Sequence, residues 1–248
     1  MVFYFTATGN SKFIGEKISG KTGDSVIDIA ACVRNGEYKF ELSEGESLGF
    51  VVPVYFLGIP IIVTEFLKKL QVSGKPDYTY AVLNCGRSTG NAVKFFKTYL
   101  KLNAVYGIFA PGNYVPLYKM ESNETLEKQL DKCEEDSAII AEKVIRREQG
   151  TFNALKGPLP HTLTAFAYPM YKKGRRTKKF TVNSSCVHCG VCVKVCPRQA
   201  IKFESNKPAW TKPQCELCLA CLHKCPAQAI NYGKSVQRGR YHNTRVSY

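Results

Sequence analysis

Two short segments of the sequence each bring four cysteines together at the same spacing. The first reads CVHCGVCVKVCP over residues 186–197, and the second reads CELCLACLHKCP over residues 215–226. The two align at an offset of 29 residues, and the match continues through Pro-x-Gln-Ala-Ile, so the chain contains a duplicated unit. Three cysteines at successive intervals of three wrap a loop around one iron–sulfur cluster. Zinc sites instead use pairs of ligands separated by about a dozen residues or more, so the pattern favours two 4Fe–4S clusters over structural zinc.

The fourth cysteine of each unit is expected to serve the neighbouring cluster. It follows on a short helix, and the proline after it bends the chain away, which is the arrangement of two-cluster ferredoxins. Two mixed ligand sets result. The first ligand set is Cys186, Cys189, Cys192 and Cys225, and the second ligand set is Cys215, Cys218, Cys221 and Cys196. The segment over residues 181–233 closely resembles the bacterial two-cluster ferredoxins.

Three cysteines are left over, and two further side chains near the clusters have simple interpretations. Small buried thiols are the expectation for Cys32 and Cys133, and Cys85 falls in a loop described below. His188 is interpreted as a solvent-facing loop residue because four thiolates already complete a cluster. Trp210 is interpreted as packing.

A hydroxyl-rich turn lies at the opposite end of the chain, between the first predicted strand and the first predicted helix. It reads TATGNS: Thr6, Ala7, Thr8, Gly9, Asn10 and Ser11. It lacks both the Gly-x-Gly-x-x-Gly dinucleotide fingerprint and the Gly-Lys-Ser/Thr of a Walker loop. Its amides and hydroxyls can surround a phosphate monoester at the helix N-terminus, without a cation. An ordinary helix N-cap is the alternative interpretation.

In a strand–helix alternation of this kind, T-x-T-G-N-S resembles the phosphate loop of flavodoxins. The resemblance implies FMN, with its phosphate in this loop and its isoalloxazine ring held by the loops PVYFLGIP (53–60) and NCGRSTGN (84–91). All these loops leave the carboxyl edge of the sheet, where ligands bind at the topological switch point. The further FMN-binding residues that it implies are Pro53, Tyr55, Phe56, Leu57, Gly58, Asn84, Cys85, Gly86, Gly90, Asn113 and Tyr114.

The elements that must position these residues alternate between strand and helix. Buried apolar runs predict strands, and helical spacing predicts helices. The strands fall at 2–5, 26–29, 49–55, 78–83 and 104–110, and the helices at 10–18, 61–70, 91–100 and 121–149. No helix is predicted for the short, polar segment 31–47. The fold class is therefore α/β, a doubly wound five-stranded parallel sheet of the flavodoxin type, with a small α+β two-cluster domain of the ferredoxin type.

Charge divides the chain. Residues 1–150 hold equal numbers of acids and bases, and the whole net charge of +15 lies in residues 151–248. We predict a flavodoxin-like FMN domain over 1–150, a basic connector over 151–180, the ferredoxin domain over 181–233 and a partly disordered basic tail over 234–248.

The segment KKGRRTKK, at 172–179, can be read in three ways. It is a solvated linker, a docking site for an acidic electron-transfer protein such as a ferredoxin, a flavodoxin or a low-potential oxidoreductase, or a nucleic-acid contact. Specific nucleic-acid binding is not expected, because no base-reading motif accompanies the charge. No apolar run is long enough for a membrane span and no signal peptide is recognised, so a cytoplasmic protein is expected.

The chain as a whole resembles flavodoxin–ferredoxin fusions, a family of anaerobic electron-transfer proteins. The resemblance implies electron transfer between the two clusters and FMN, either within one chain or between the protomers of a homodimer. This electron transfer would couple one-electron carriers to two-electron flavin chemistry. An FMN-dependent reductase that delivers hydride to a small acceptor, with the clusters as electron intake, is the alternative. A redox-sensing regulator that contacts nucleic acid is the third hypothesis.

Overall fold

The computed structural model describes residues 1–247 and shows two packed units joined by a helix. The strands are β1 (Val2–Tyr4), β2 (Val26–Asp28), β3 (Lys39–Glu41), β4 (Ser47–Pro53), β5 (Gln71–Ser73), β6 (Tyr78–Cys85), β7 (Ala104–Phe109), β8 (Gly150–Phe152), β9 (Phe180–Val182), β10 (Ile201–Glu204), β11 (Lys207–Trp210) and β12 (Ile230–Tyr232). The helices are α1 (Asn10–Thr22), α2 (Ile29–Asn35), α3 (Ile61–Lys69), α4 (Val93–Lys97), α5 (Asn123–Ile145), α6 (Pro160–Gly174), α7 (Val191–Lys194) and α8 (Ala220–His223).

The larger unit is built on a six-stranded parallel sheet in the order β2-β1-β4-β6-β7-β8. All eight residues of β6 are buried, as expected for a strand covered on both faces. The chain order reverses between β1 and β4, which is the switch point of a doubly wound sheet. The predicted α/β fold class is thus confirmed, and the sheet carries one strand more than the five expected. The extra strand, β8, has only three residues and shows no periodic pattern.

Helices cover both faces of this sheet. Apolar side chains of α1 and α5 pack with one face, and those of α2, α3 and α4 pack with the other. The helix α2 lies partly in the segment for which the sequence predicted none. Asp28 caps it by accepting a hydrogen bond from the Ala30 amide at 2.8 Å, so a local side-chain bond begins a helix that is too short for a periodic signal.

The smaller unit repeats its own backbone geometry. Two antiparallel pairs, β9 with β12 and β10 with β11, enclose the short helices α7 and α8. Residues in the left-handed region recur at the sequence offset of 29. The matched pairs are His188 with Leu217, Gly190 with Leu219, and Gln199 with Gln228. The duplicated sequence therefore folds into a duplicated loop structure.

The C-terminal tail packs against the larger unit, although partial disorder was expected. Tyr241 and Asn243 are buried, and the Asn243 amide donates a hydrogen bond of 2.7 Å to the Thr8 carbonyl. Arg245 pairs with Glu127, Asp131 and Glu134 of α5 at 2.7–3.2 Å. The basic tail is ordered because it lies on an acidic helix. The amino-acid composition alone did not indicate this contact.

Within residues 1–247, no helix is both long enough and apolar enough to cross a membrane.

Candidate functional site

The predicted phosphate loop, Thr6–Ser11, connects β1 with α1 at the switch point of the sheet. Gly9 adopts φ 102°, a value that side chains disfavour, and its amide donates a 2.9 Å hydrogen bond to Thr6 Oγ1. The end of β6 and the loop after β7 hold two of its hydroxyls. Asn84 donates to Ser11 Oγ and Asn113 donates to Thr8 Oγ1, each at 2.8 Å.

The N-terminus of α1 is suited to an anion. The N-cap residue makes no side-chain capping bond, and the first turn contains no acidic residue. The first backbone amides of the helix are therefore left without a side-chain cap, and they form the positive end of the helix dipole. This arrangement favours the phosphate interpretation over the ordinary N-cap.

A cavity of about 1080 Å³ opens beside this loop. Most of the residues predicted to bind FMN line it: Thr6, Ala7, Thr8, Asn10, Ser11, Pro53, Tyr55, Phe56, Leu57, Asn84, Cys85, Gly86, Asn113 and Tyr114. Gly9, Gly58 and Gly90 are not among its lining residues. A methyl group added at Gly58 would meet Tyr168, and one added at Gly90 would meet Leu57 and Thr164, so these two glycines allow close packing behind the cavity.

The loop after β4 holds aromatic rings against the cavity in a strained turn. Tyr55 and Gly58 exchange backbone hydrogen bonds of 2.8 and 3.0 Å, and the two residues between them, Phe56 and Leu57, have φ values of 49° and 63°. Turns of this kind normally contain Asn or Gly. Phe56 stacks on Tyr171 at 5.8 Å and meets Tyr114 edge-on at 5.3 Å. Strain in a tight turn that presents a ring to a cavity is typical of a functional site.

The second cysteine loop forms part of the same cavity. Leu217, Cys218 and Leu219 line it together with the phosphate loop, although the two segments are more than 200 residues apart in sequence. Tyr55 lies between the two, since it packs edge-on against Phe5 at 6.4 Å and belongs to the same apolar cluster as Cys218. One wall of the cavity thus comes from the smaller unit.

The predicted cluster ligands lie near one another across the two units. Burial raises the pKa of Cys221 well above its usual value, with added effects from Cys218, Cys196, Cys215 and Cys192. Burial raises the pKa of Cys192 to about 11, with added effects from Cys225 and Cys189. The fourth cysteine of each unit therefore lies near thiols of the other unit, and the assignment of each cysteine to a particular cluster stays a prediction.

Backbone amides donate hydrogen bonds to two of the predicted cluster ligands. Ala200 donates to Cys196 and Ala229 to Cys225, both at 3.3 Å and at matching positions of the repeat. Amide–sulfur bonds of this kind tune iron–sulfur potentials.

The two ligand sets differ in exposure. In the first, Cys189 is exposed and Cys186 is partly exposed. In the second, every thiol is buried except that of Cys218, which faces the cavity. The three remaining cysteines are buried, as expected, and burial raises the pKa of Cys85 to about 12, so its thiol is neutral at pH 7.

A buried carboxylate joins the two units. Glu216, which lies between two predicted cluster ligands, is only 1% exposed. It accepts hydrogen bonds from the Ile62 amide at the start of α3 at 3.2 Å and from the Tyr171 hydroxyl at 2.5 Å. Arg198 pairs with it at 2.6 Å and also reaches Glu65 of α3. The second cysteine loop is thereby fixed to the N-terminal end of α3.

A second link connects α8 to the phosphate loop. Burial lowers the pKa of His223 to about 4, so the ring is neutral: Nδ1 accepts from the Tyr241 amide at 3.1 Å, and Nε2 donates to the Asn113 carbonyl at 2.7 Å. The Asn113 side chain in turn bonds Thr8, and the Tyr241 hydroxyl donates to Asn10. The sequence prediction that Asn113 also contacts the flavin ring stays a prediction.

Sequence reasoning missed several lining residues. Tyr171 comes from a connector in which no helix was predicted, and Leu217 and Leu219 were treated only as spacers between cysteines. Arg87, which lies over the Tyr118 ring at 4.5 Å, also lines the cavity. The aromatic content of the connector was the one available signal, but it gave no indication of which ring faces inward.

The fold and the site together define a protein that binds a flavin and iron–sulfur clusters and transfers electrons. Residues 1–133 match the family model described as a flavodoxin domain, and residues 178–240 match the model described as a 4Fe-4S dicluster domain. The chain belongs to the flavodoxin domain family and carries the dicluster domain behind it, which confirms the flavodoxin–ferredoxin fusion.

Several solved structures are similar to this chain at low identity and low TM-score. They include azoreductase AzrA (14% identity, TM-score 0.35, 57% of this chain and 99% of that chain) and an azoreductase from Bacillus anthracis str. Sterne (13%, 0.36, 57% and 98%). A Trp repressor binding protein from Bacillus subtilis also matches (9%, 0.37, 60% and 100%). The comparison with curated proteins gave no match.

Replacing Glu216 tests the link between the two units. The substitution Glu216→Gln keeps the shape of the side chain but leaves Arg198 without its buried partner. We expect the free energy of unfolding to fall by about 3 kcal/mol, because breaking a buried ion pair typically costs this much. Denaturant unfolding of the anaerobically prepared protein, followed by circular dichroism, measures the change.

The matched control is Glu65→Gln, which removes the exposed partner of the same arginine. We expect a loss below about 1 kcal/mol, as for other exposed pairs. Equal losses for the two variants would show that burial of Glu216 does not hold the units together.

Proposed function

We propose that this protein transfers electrons between two 4Fe–4S clusters and one FMN held in the same chain. The observation that carries the proposal is the shared cavity: Leu217, Cys218 and Leu219 line it together with the phosphate loop. When bound, each cluster exchanges one electron and FMN exchanges one or two, so two clusters together hold the electron pair that fully reduces one flavin. Since one chain supplies both sides of the cavity, transfer within the chain is favoured over transfer between protomers.

The residues present fit FMN. The uncapped amides of α1 and the hydroxyls of Thr6, Thr8 and Ser11 would hold the phosphate. The flat aromatic rings of Tyr55 and Phe56 would face the isoalloxazine, and backbone groups near Gly86 would bond its polar edge. The neighbouring asparagines keep the loop hydroxyls oriented, and the buried tail covers the loop from outside.

The exposure of the thiols supports an order of transfer. The first ligand set reaches the surface through Cys189, whereas the second is enclosed and lines the cavity through Cys218. An external one-electron carrier would therefore meet the first set. A small acidic protein suits this role, because residues 149–203 contain no Asp or Glu and ten Lys or Arg. Eleven cysteines with no disulfide among the described residues fit a reducing, cytoplasmic setting.

Cofactor analysis of anaerobically purified protein tests the assignment of the sites. We expect about one FMN and eight irons per chain, from four thiolates for each four-iron cluster. Metal analysis and flavin release by heat denaturation measure both. Two zinc ions in place of iron would contradict the cysteine assignment, and loss of iron without loss of flavin would leave the phosphate loop assignment intact.

Two cysteine variants test the order of transfer. With Cys218→Ser, stopped-flow mixing with a reduced acidic ferredoxin should bleach the remaining iron–sulfur absorbance while the flavin stays oxidised. With Cys189→Ser, both should be reduced at least about tenfold more slowly, because the exposed entry point is altered. Cys133→Ala removes a buried thiol of α5 that belongs to neither set, and it should behave like the wild type. Flavin reduction at the wild-type rate in Cys218→Ser would contradict the proposed path.

A reductase remains the second candidate, favoured by the size of the cavity and its apolar rim. A volume of about 1080 Å³ is at the upper end of ligand pockets, and Phe109 and Leu117 at its edge are 48% and 62% exposed. A reductase requires that a small acceptor reoxidise the reduced flavin directly. Mixing the photoreduced protein with quinones and azo dyes measures this: reoxidation that saturates with acceptor concentration supports the reductase, and slow, non-saturating reoxidation supports the carrier.

A further inference from the structure

The outward face of α6 is apolar, although it lies on the surface. The inward face contributes three buried side chains, Thr164, Tyr168 and Tyr171. The outward side carries large apolar side chains at intervals of four, three and four residues, which place them on one face of a helix. They are Leu163, Phe166 and Met170 of α6 and Leu159, which directly precedes the helix, with exposed fractions of 43%, 72%, 66% and 70%.

This pattern is unusual for a helix on the surface of a protein, which normally turns charged side chains to solvent. The segment 157–171 contains no Asp, Glu, Lys or Arg. The exposed side chains cannot turn inward, because the opposite face is fixed. The Tyr168 hydroxyl donates to the Ile59 carbonyl at 2.8 Å, and the Tyr171 hydroxyl donates to Glu216.

Cations flank the apolar face at both ends. Lys156 precedes it, and six of the eight residues over 172–179 are Lys or Arg. Within the described residues 1–247, none of these cations forms an ion pair with a carboxylate. Arg175 points inward, where its guanidinium donates to the Cys215 carbonyl at 2.8 Å, and the charge of the other cations is available to a partner.

We propose that the outward face of α6 docks on the surface of an anionic lipid bilayer. Helices that lie in a membrane interface combine Phe and Leu on one face with Lys and Arg beside it, and they bind through buried apolar area plus attraction to anionic headgroups. The apolar stripe inserts at the boundary of the acyl chains, and Lys156 and the 172–179 cations contact the headgroups. The inner face keeps its contacts with the loop after β4, so docking needs no change of fold.

Charge favours a bilayer over the other occupants. A second copy would bring two groups of six cations together, and like charges at an interface are unfavourable. An acidic protein would match the cations, but its acidic side chains would not cover the long apolar stripe. The proposal does not depend on electron transfer, since it concerns the face of α6 that points away from the cavity.

Vesicle flotation with the full-length holoprotein tests the proposal. We expect co-flotation with phosphatidylcholine vesicles that contain phosphatidylglycerol, little with phosphatidylcholine alone, and release as salt is raised. The double variant Phe166→Ser, Met170→Ser and the double variant Lys172→Gln, Lys173→Gln should each weaken partition by at least about tenfold. The control variant Ile139→Ser, Ile145→Ser removes apolar side chains of similar exposure, 51% and 54%, from α5 and should bind as the wild type does.

A fluorescence measurement keeps the test independent of variant stability. The only natural tryptophan, Trp210, stacks on Phe180 in the smaller unit. We expect Phe166→Trp to add an emission band that shifts to the blue on anionic vesicles. No flotation on either vesicle, or flotation that persists in both α6 double variants, would overturn the proposal. So would a dimer in sedimentation that Phe166→Ser, Met170→Ser abolishes, because it would assign the face to a second copy.

Discussion

The burial of one carboxylate holds the redox site together. Inside the protein, the Glu216 side chain accepts hydrogen bonds from the Ile62 amide, the Tyr171 hydroxyl and Arg198. A buried charge with incomplete partners costs several kcal/mol, so the smaller unit has one favourable position on α3. That position places the neighbouring Leu217–Leu219 loop in the wall of the cavity. Because electron-transfer rates fall steeply with distance, the geometry of this ion pair bears directly on function.

The cavity is complete only when distant parts of the sequence assemble. The phosphate loop, the strained turn after β4, helix α6 and the second cysteine loop all contribute to it. The tail fixes the loop from outside through Asn243 and Tyr241. A flavodoxin domain alone would thus lack one wall, and the two units act as one structural body instead of two modules on a flexible linker. Linkage of this kind replaces a diffusional encounter with a fixed contact.

The sequence predicted what local chemistry dictates. The cysteine spacing, the hydroxyl-rich loop and the alternation of buried strands with helices each follow from short-range pattern, and the doubly wound sheet is confirmed. The contacts between units could not be predicted in this way. In the sequence, Glu216 is simply one of the two acidic residues in the basic segment 151–248. Only its burial against α3 shows its role. The sequence predicted a partly disordered tail because the acidic side chains of α5 that bind it lie more than 100 residues earlier.

The net charge of the chain and the exposure of its cysteine thiols are both highest in the same part of the molecule. Residues 1–150 are electrically neutral in composition, whereas the connector, the smaller unit and the tail, residues 151–248, together carry the net charge of +15. The exposed thiols of the first ligand set lie in that basic part, and the enclosed cavity lies in the neutral part. Under the proposed function, long-range attraction would guide an anionic partner toward the exposed thiols and not toward the cavity. The enclosed second ligand set would then separate the partner from the cavity, so that contact with one-electron carriers and chemistry at a bound flavin would take place at opposite ends of one path.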